Sequence, residues 1–227
     1  MRGKRFALSL LSSAFLSACS FGTPLREDIQ EFISSFSLDA AVKAYKEAGY
    51  HKIQTASSLS EERVTKETFS FNVKDANHPE YRFETVVEVD GVETERTFDA
   101  IVEEEGRFYL LDQDGNREEK TLGECHSYIE RYFYQEVAAD AVHLYGMYYG
   151  DYIRQVAKSF QNLVTIDQEK GLYRYNVKED HKNNNGDMVH EEQSYSVNRY
   201  GMLEENRLLR KTDRLEVVTE ISTYRVE

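Results

Sequence analysis

Basic residues are scarce in this chain: 28 lysines and arginines stand against 41 aspartates and glutamates over 227 residues, a formal charge of −13. That balance argues against a nucleic-acid partner, because neutralising phosphates needs clustered Lys and Arg. Cysteine is nearly missing, with Cys19 and Cys125 the only two, so a zinc cluster of several thiolates is excluded. The six histidines, His51, His78, His126, His143, His181 and His190, show no HExxH or His-x-His spacing. The sequence holds no glycine-rich phosphate loop, no GxSxG elbow and no carboxylate pair in a persuasive context. It also lacks the run of about 20 apolar residues that a helix needs to span a bilayer.

What is present begins at the N-terminus. Arg2, Lys4 and Arg5 are followed by an uncharged run of apolar and small residues from Phe6 to Phe15, then by Leu16-Ser17-Ala18-Cys19. This is the layout of a secretory signal peptide. The last four residues resemble the bacterial lipoprotein signal, in which the cysteine is diacylated and becomes the new N-terminus. The resemblance implies a signal peptide over 1–18 and a lipidated Cys19 at the head of a short tether over 19–27. The rest of the chain would then be held on a membrane outside the cytoplasm. Each buried methylene contributes about 0.8 kcal/mol, and two acyl chains hold where one is marginal. Loss of Arg2, Lys4 and Arg5 moves the formal charge from −13 to −16, so lipid rather than charge must do the holding. With Cys19 acylated, Cys125 has no partner for an internal disulfide.

A helix is predicted from Pro24 or Arg26 to about Ala48, with Gly49 as its stop. Ile29, Phe32, Ile33, Phe36, Ala40 and Ala44 recur at helical spacing. The run Ser34-Ser35-Phe36-Ser37 divides it in two, with Ser37 capping the second piece. From His51 to Asp112 the period changes to two. Tyr81, Phe83, Thr85, Val87 and Val89 alternate with charged residues, and Asp90-Gly91 separates them from Val92-to-Val102, a hairpin signal. About five antiparallel strands are expected there, with one wet and one buried face. Residues 121–161 return to helical character, and strands resume from Leu172 to Val226. The fold class expected is α+β: antiparallel β meanders forming a curved sheet or half-barrel packed on helices, or two similar α+β halves. A boundary between the halves falls at 28–120 and 121–227.

Three constellations invite chemistry. Cys125-His126 are adjacent, and neighbours on a helix or strand do not face each other, so a buried structural thiol is the expected role. Asp112, Asp114 and Asn116 alternate as in a calcium loop, but Gly115 stands fourth rather than sixth and Gly123 occupies the twelfth place, which reads as a turn. Tyr145, Tyr148 and Tyr152 fall at i, i+3 and i+7, so a helix would present them on one face as an aromatic wall or as packing against the sheet.

The stretches Ala40-Ala41-Val42-Lys43-Ala44-Tyr45, Val89-Asp90-Gly91-Val92, Glu105-Gly106-Arg107-Phe108-Tyr109-Leu110 and Ser194-to-Leu203, behind a lipid-anchor signal, resemble the lipoprotein-carrier-like group, the LolA and LppX type of half-barrel. That resemblance implies an antiparallel sheet wrapped around helices with acyl chains held between them. It brings no catalytic residues and no cofactor. The absence of tryptophan and the tyrosine-rich centre depart from the group. The reading is therefore a non-enzymatic, lipid-anchored protein at the cell surface, with a membrane as partner and a lipid or other hydrophobic ligand taken up between sheet and helices. Phe83, Val87, Phe98 and Val102 from the strands, with Tyr145 and Tyr149 from the helices, are the expected wall. The alternative is an NTF2-like or cystatin-like interaction module with a filled core; a third is a secreted enzyme whose histidines and carboxylates meet only on folding.

Overall fold

Asp90 and Gly91 both adopt positive φ, 50° and 78°, the geometry of the tight hairpin turn whose twist suits two strands. They join β3 (Tyr81–Val89) to β4 (Val92–Glu104), with Val89 opposite Val92. In the computed structural model, which describes residues 24–45, 47–72, 77–133, 147–183 and 186–226, this hairpin belongs to one large antiparallel sheet. Its other strands are β1 (Glu47–Ser58), β2 (Glu62–Asn72), β5 (Arg107–Asp112), β6 (Arg117–Lys120), β7 (Val164–Asp167), β8 (Leu172–Lys182), β9 (Met188–Asn198), β10 (Leu203–Lys211) and β11 (Leu215–Val226). Their order is β6-β5-β4-β3-β2-β1-β11-β10-β9-β8-β7.

The seam at the centre joins the two ends of the chain. β1 pairs with β11 from Glu47↔Val226 to Ser58↔Leu215, so one unbroken sheet carries both meanders. The described residues are mostly β, with four α-helices: α1 (Glu27–Ser34), α2 (Leu38–Ala44), α3 (Leu122–Phe133) and α4 (Gly150–Phe160). The helical share is smaller than the α+β expectation.

The expected break between α1 and α2 is present. The Ser37 hydroxyl accepts from the Ala40 amide at 3.2 Å, satisfying one orphan donor of α2. The helix ends earlier than expected, at Ala44, and Ala48-Gly49 lie in β1. Gly49 is no helix stop; it sits under the Tyr224 ring in the cross-strand position. A Cβ there would lie 2.0 Å from the Phe69 carbonyl oxygen and 2.6 Å from the ring. α3 opens with a reciprocal cap: Glu124 accepts from the Thr121 amide at 2.8 Å, and the Thr121 hydroxyl accepts from the Glu124 amide at 3.3 Å.

All four helices lie on one face of the sheet, and alternation gives that face its apolar side chains. Tyr45, Ala48, Phe69, Phe71, Tyr81 and Ile101 form one buried cluster under α2 and α3. Ile29, Ile153, Tyr173, Tyr195, Val197 and Leu203 form a second under α1 and α4. The opposite face carries charge pairs such as Lys66–Glu88 at 2.5 Å, Lys178–Glu192 at 2.6 Å and Arg207–Glu220 at 3.3 Å. Exposed pairs of this kind stabilise little, about 0–1 kcal/mol; they keep that face wet.

Candidate functional site

Between α3 and the β5–β6 edge lies an open cleft of about 720 Å³, lined by Leu110, Lys120, Thr121, Gly123, Glu124, Ser127 and Tyr128. Its parts follow from local sequence. Leu110 stands opposite Ile101 in the β4–β5 register and so turns toward the helices. Tyr128 lies over the Tyr81 ring, edge to face, with centroids 6.1 Å apart. Phe83 and Phe108 pack against the same cluster. The floor is therefore apolar and aromatic, while Lys120, Thr121, Glu124 and Ser127 form a polar mouth. Lys120 pairs with Glu118. Bonds from the Thr121 amide and hydroxyl hold the Glu124 carboxyl below its ordinary range.

Cys125, on the same helix, belongs to the first core cluster and has no exposed surface. Burial pushes its thiol up to about 11. A thiol kept protonated is a poor nucleophile, which suits a buried structural cysteine.

The expected wall residues separate onto two faces. Phe83 faces the helices, 6.4 Å from Phe69. Val87 is buried on that same side, closer to the hairpin. Phe98 stands opposite Glu84, and Val102 opposite Tyr109; both turn to the other face. The reason is a single extra residue. The pairing runs Val89↔Val92 and Glu88↔Glu93, then steps to Val87↔Glu95. Thr94 is the bulged residue, and its hydroxyl donates to the Val87 carbonyl at 3.2 Å. Without the bulge Phe83 would face Phe98; with it, Phe83 faces Asp99 and the core position passes to Ile101. A one-residue slip exchanges the faces of a strand.

Tyr145 and Cys19 lie outside the described residues. Tyr149 is buried in the second cluster, far along the sheet order from the cleft, with Tyr195 at 5.9 Å and Tyr152 at 6.5 Å. Tyr148 precedes α4 and bridges to Met202, so Tyr148 and Tyr152 do not share a helix face. Of the tyrosines that assemble there, Tyr149 was singled out from the sequence and Tyr173, Tyr175 and Tyr195 were not. Tyr175 and Tyr195 are paired across β8–β9 and stack at 4.8 Å. Tyr173 is wholly buried beside them. Burial raises the hydroxyls of Tyr173 and Tyr195 well above the ordinary tyrosine range. Their signal was available in the period-two spacing of Tyr173 and Tyr175.

The run Asp112–Asn116 closes on itself. The Asp112 carboxylate accepts from the amides of Asp114 and Asn116 and from the Asn116 side chain, each at 2.9 Å. These bonds lower its pKa and occupy its oxygens, the signature of an Asx turn. Among the described residues no three His, Cys, Asp or Glu side chains converge as a metal site. No described helix is long and apolar enough to cross a membrane.

Neither a protein-family model nor a curated protein matches the sequence. Solved structures with some likeness include a β-barrel-like protein of a domain of unknown function from Brucella abortus (8% identity, 81% of this chain and 98% of that one, TM-score 0.25). A porin-like protein from Bacteroides uniformis shares 10% identity over 76% of this chain and 58% of that one, with a TM-score of 0.23. An outer membrane lipoprotein-sorting protein domain from Vibrio parahaemolyticus shares 10% identity over 86% of this chain and 91% of that one, with a TM-score of 0.22.

Proposed function

We propose that the chain is a lipid-anchored extracytoplasmic protein without catalytic activity, and that it takes an amphipathic ligand into the cleft between α3 and the β5–β6 edge. The cleft itself carries the reading. Its volume of about 720 Å³ falls in the range of small-molecule sites, roughly 300–1,000 Å³. Its apolar floor of Leu110 and Tyr128 and its charged mouth match a ligand with one greasy and one polar end. The driving force is burial. Eight methylenes removed from water contribute roughly 6 kcal/mol before the costs of ordering. Anchoring rests on the sequence Leu16-Ser17-Ala18-Cys19.

Native mass spectrometry of the gently extracted protein tests the reading. The expected result is a bound amphiphile that is lost on Leu110→Glu, a change that places a carboxylate on the cleft floor. Absence of any bound molecule in the unaltered protein sinks the carrier reading. A protein-interaction module would then be favoured by the tightly filled tyrosine cluster around Tyr173 and Tyr195.

A further inference from the structure

Seven large apolar side chains stand exposed among the described residues, and four of them sit at one end of the sheet, one per hairpin. Leu59 (91% exposed) tips β1–β2, Val92 (65%) tips β3–β4, Met188 (50%) tips β8–β9 and Leu215 (44%) tips β10–β11. In the strand order these hairpins are neighbours: β4-β3, β2-β1, β11-β10, β9-β8. With strands about 4.8 Å apart, the tips are spaced about 10 Å from one to the next. Single exposed apolar residues are ordinary, but the described turns at the opposite end, 105–106, 168–171 and 199–201, carry none in this class.

We propose that this end of the sheet rests on a lipid bilayer, with Val92, Leu59, Leu215 and Met188 dipping into its interface. The inference rests on the lipid-anchored reading above. Two observations select a membrane as the occupant. First, the four side chains are separated by polar residues, Ser60, Glu61, Asp90, Thr212, Asp213 and Asp187 among them. They make four small contacts rather than one continuous patch, which suits a soft planar phase better than a protein groove. Second, the described chain begins within the extended reach of its tether from that end. The Arg26 guanidinium donates to the carbonyls of Gln161 at 2.9 Å and Val164 at 3.0 Å. Val164 pairs with Tyr175, seven residues before Lys182 at the tip of β8, or about 23 Å along the strand. Seven residues also separate Arg26 from Cys19, with a reach of up to about 25 Å. A lipid on Cys19 and the hairpin tips can therefore enter one bilayer plane. Arg63, Lys182 and Arg214 flank the tips beside the acidic Glu61, Asp90, Asp187 and Asp213, so a zwitterionic surface is the fitting one.

The chain has no tryptophan, so one introduced residue reports alone. The full lipidated chain carrying Leu59→Trp, placed on phosphatidylcholine vesicles, should shift its emission to the blue. Ile53→Trp, on the charged face in mid-strand and 42% exposed, should keep a water-like spectrum on the same vesicles. A water-like Leu59→Trp spectrum on vesicle-bound protein overturns the proposal. So does a blue shift that follows protein concentration without vesicles, which would assign the tips to a second copy of the chain. Failure of the anchor itself reads out separately, as equal vesicle binding with and without Cys19→Ala.

Discussion

Lys52 and Glu67 stand directly opposite each other across β1–β2, with ammonium and carboxylate 2.6 Å apart and side chains only 17% and 21% exposed. The pair lies on the helix-bearing face, just beyond the aromatic cluster at Tyr50 and Phe69. Removing one partner leaves the other half-desolvated and unpaired. We expect Glu67→Gln to destabilise the protein by about 1–3 kcal/mol in urea unfolding. The double change Lys52→Met with Glu67→Leu should recover much of that loss. Equal midpoints for single and double variants would refute this account of the pair.

Gly49 marks the tightest approach of two strands to a ring. Tyr224 lies over it and donates to the Phe69 carbonyl at 3.2 Å. Gly49→Ala should cost about 1–3 kcal/mol or more, since overpacking forces backbone shifts. Adding Tyr224→Ala removes the ring but not the carbonyl oxygen 2.0 Å from the new Cβ. The double variant should therefore stay destabilised relative to Tyr224→Ala alone; thermal unfolding of the two would reveal a rescue if the backbone yields.

His190 bonds Asp180 at 2.7 Å and Glu192 at 3.1 Å. Asp180 first, then Glu192, raises its pKa above the ordinary histidine value. A raised folded-state pKa stabilises below the unfolded value, about 6.5, and that contribution disappears as pH rises through the higher folded value. His190→Gln should lower Tm at pH 5.5 and leave it unchanged at pH 9. A pH-independent difference would assign the effect to packing instead of charge.

Much of the secondary structure was legible because it is written in adjacent residues. Asp90-Gly91 announces a hairpin since few other pairs accept two positive φ values. Ser37 announces a cap. The run from Ala40 to Gly49 misled, because alanines and a glycine suit a helix end as readily as a crowded strand. What distinguishes them is Tyr224, 175 residues away in the chain.

None of the expected wall residues Phe83, Val87, Phe98, Val102 and Tyr149 is among those that line the cleft. Phe83 and Val87 were placed on the correct face by alternation. Phe98 and Val102 were not, because a bulge at Thr94 leaves no mark in the period of β4 itself. The cleft at Leu110 and Tyr128 depends on α3 packing against an edge strand, which no local pattern encodes.

The sequence by itself determined most of the antiparallel strands, most of the turns between them and the acidic charge of the surface. These follow from backbone preferences and composition, which act over a few residues. Tertiary structure alone decided which side of β4 is buried, that β1 meets β11 in the middle of the sheet, and that four hairpin tips line up at one end. Those are matters of pairing between distant segments, where one extra residue reverses a face.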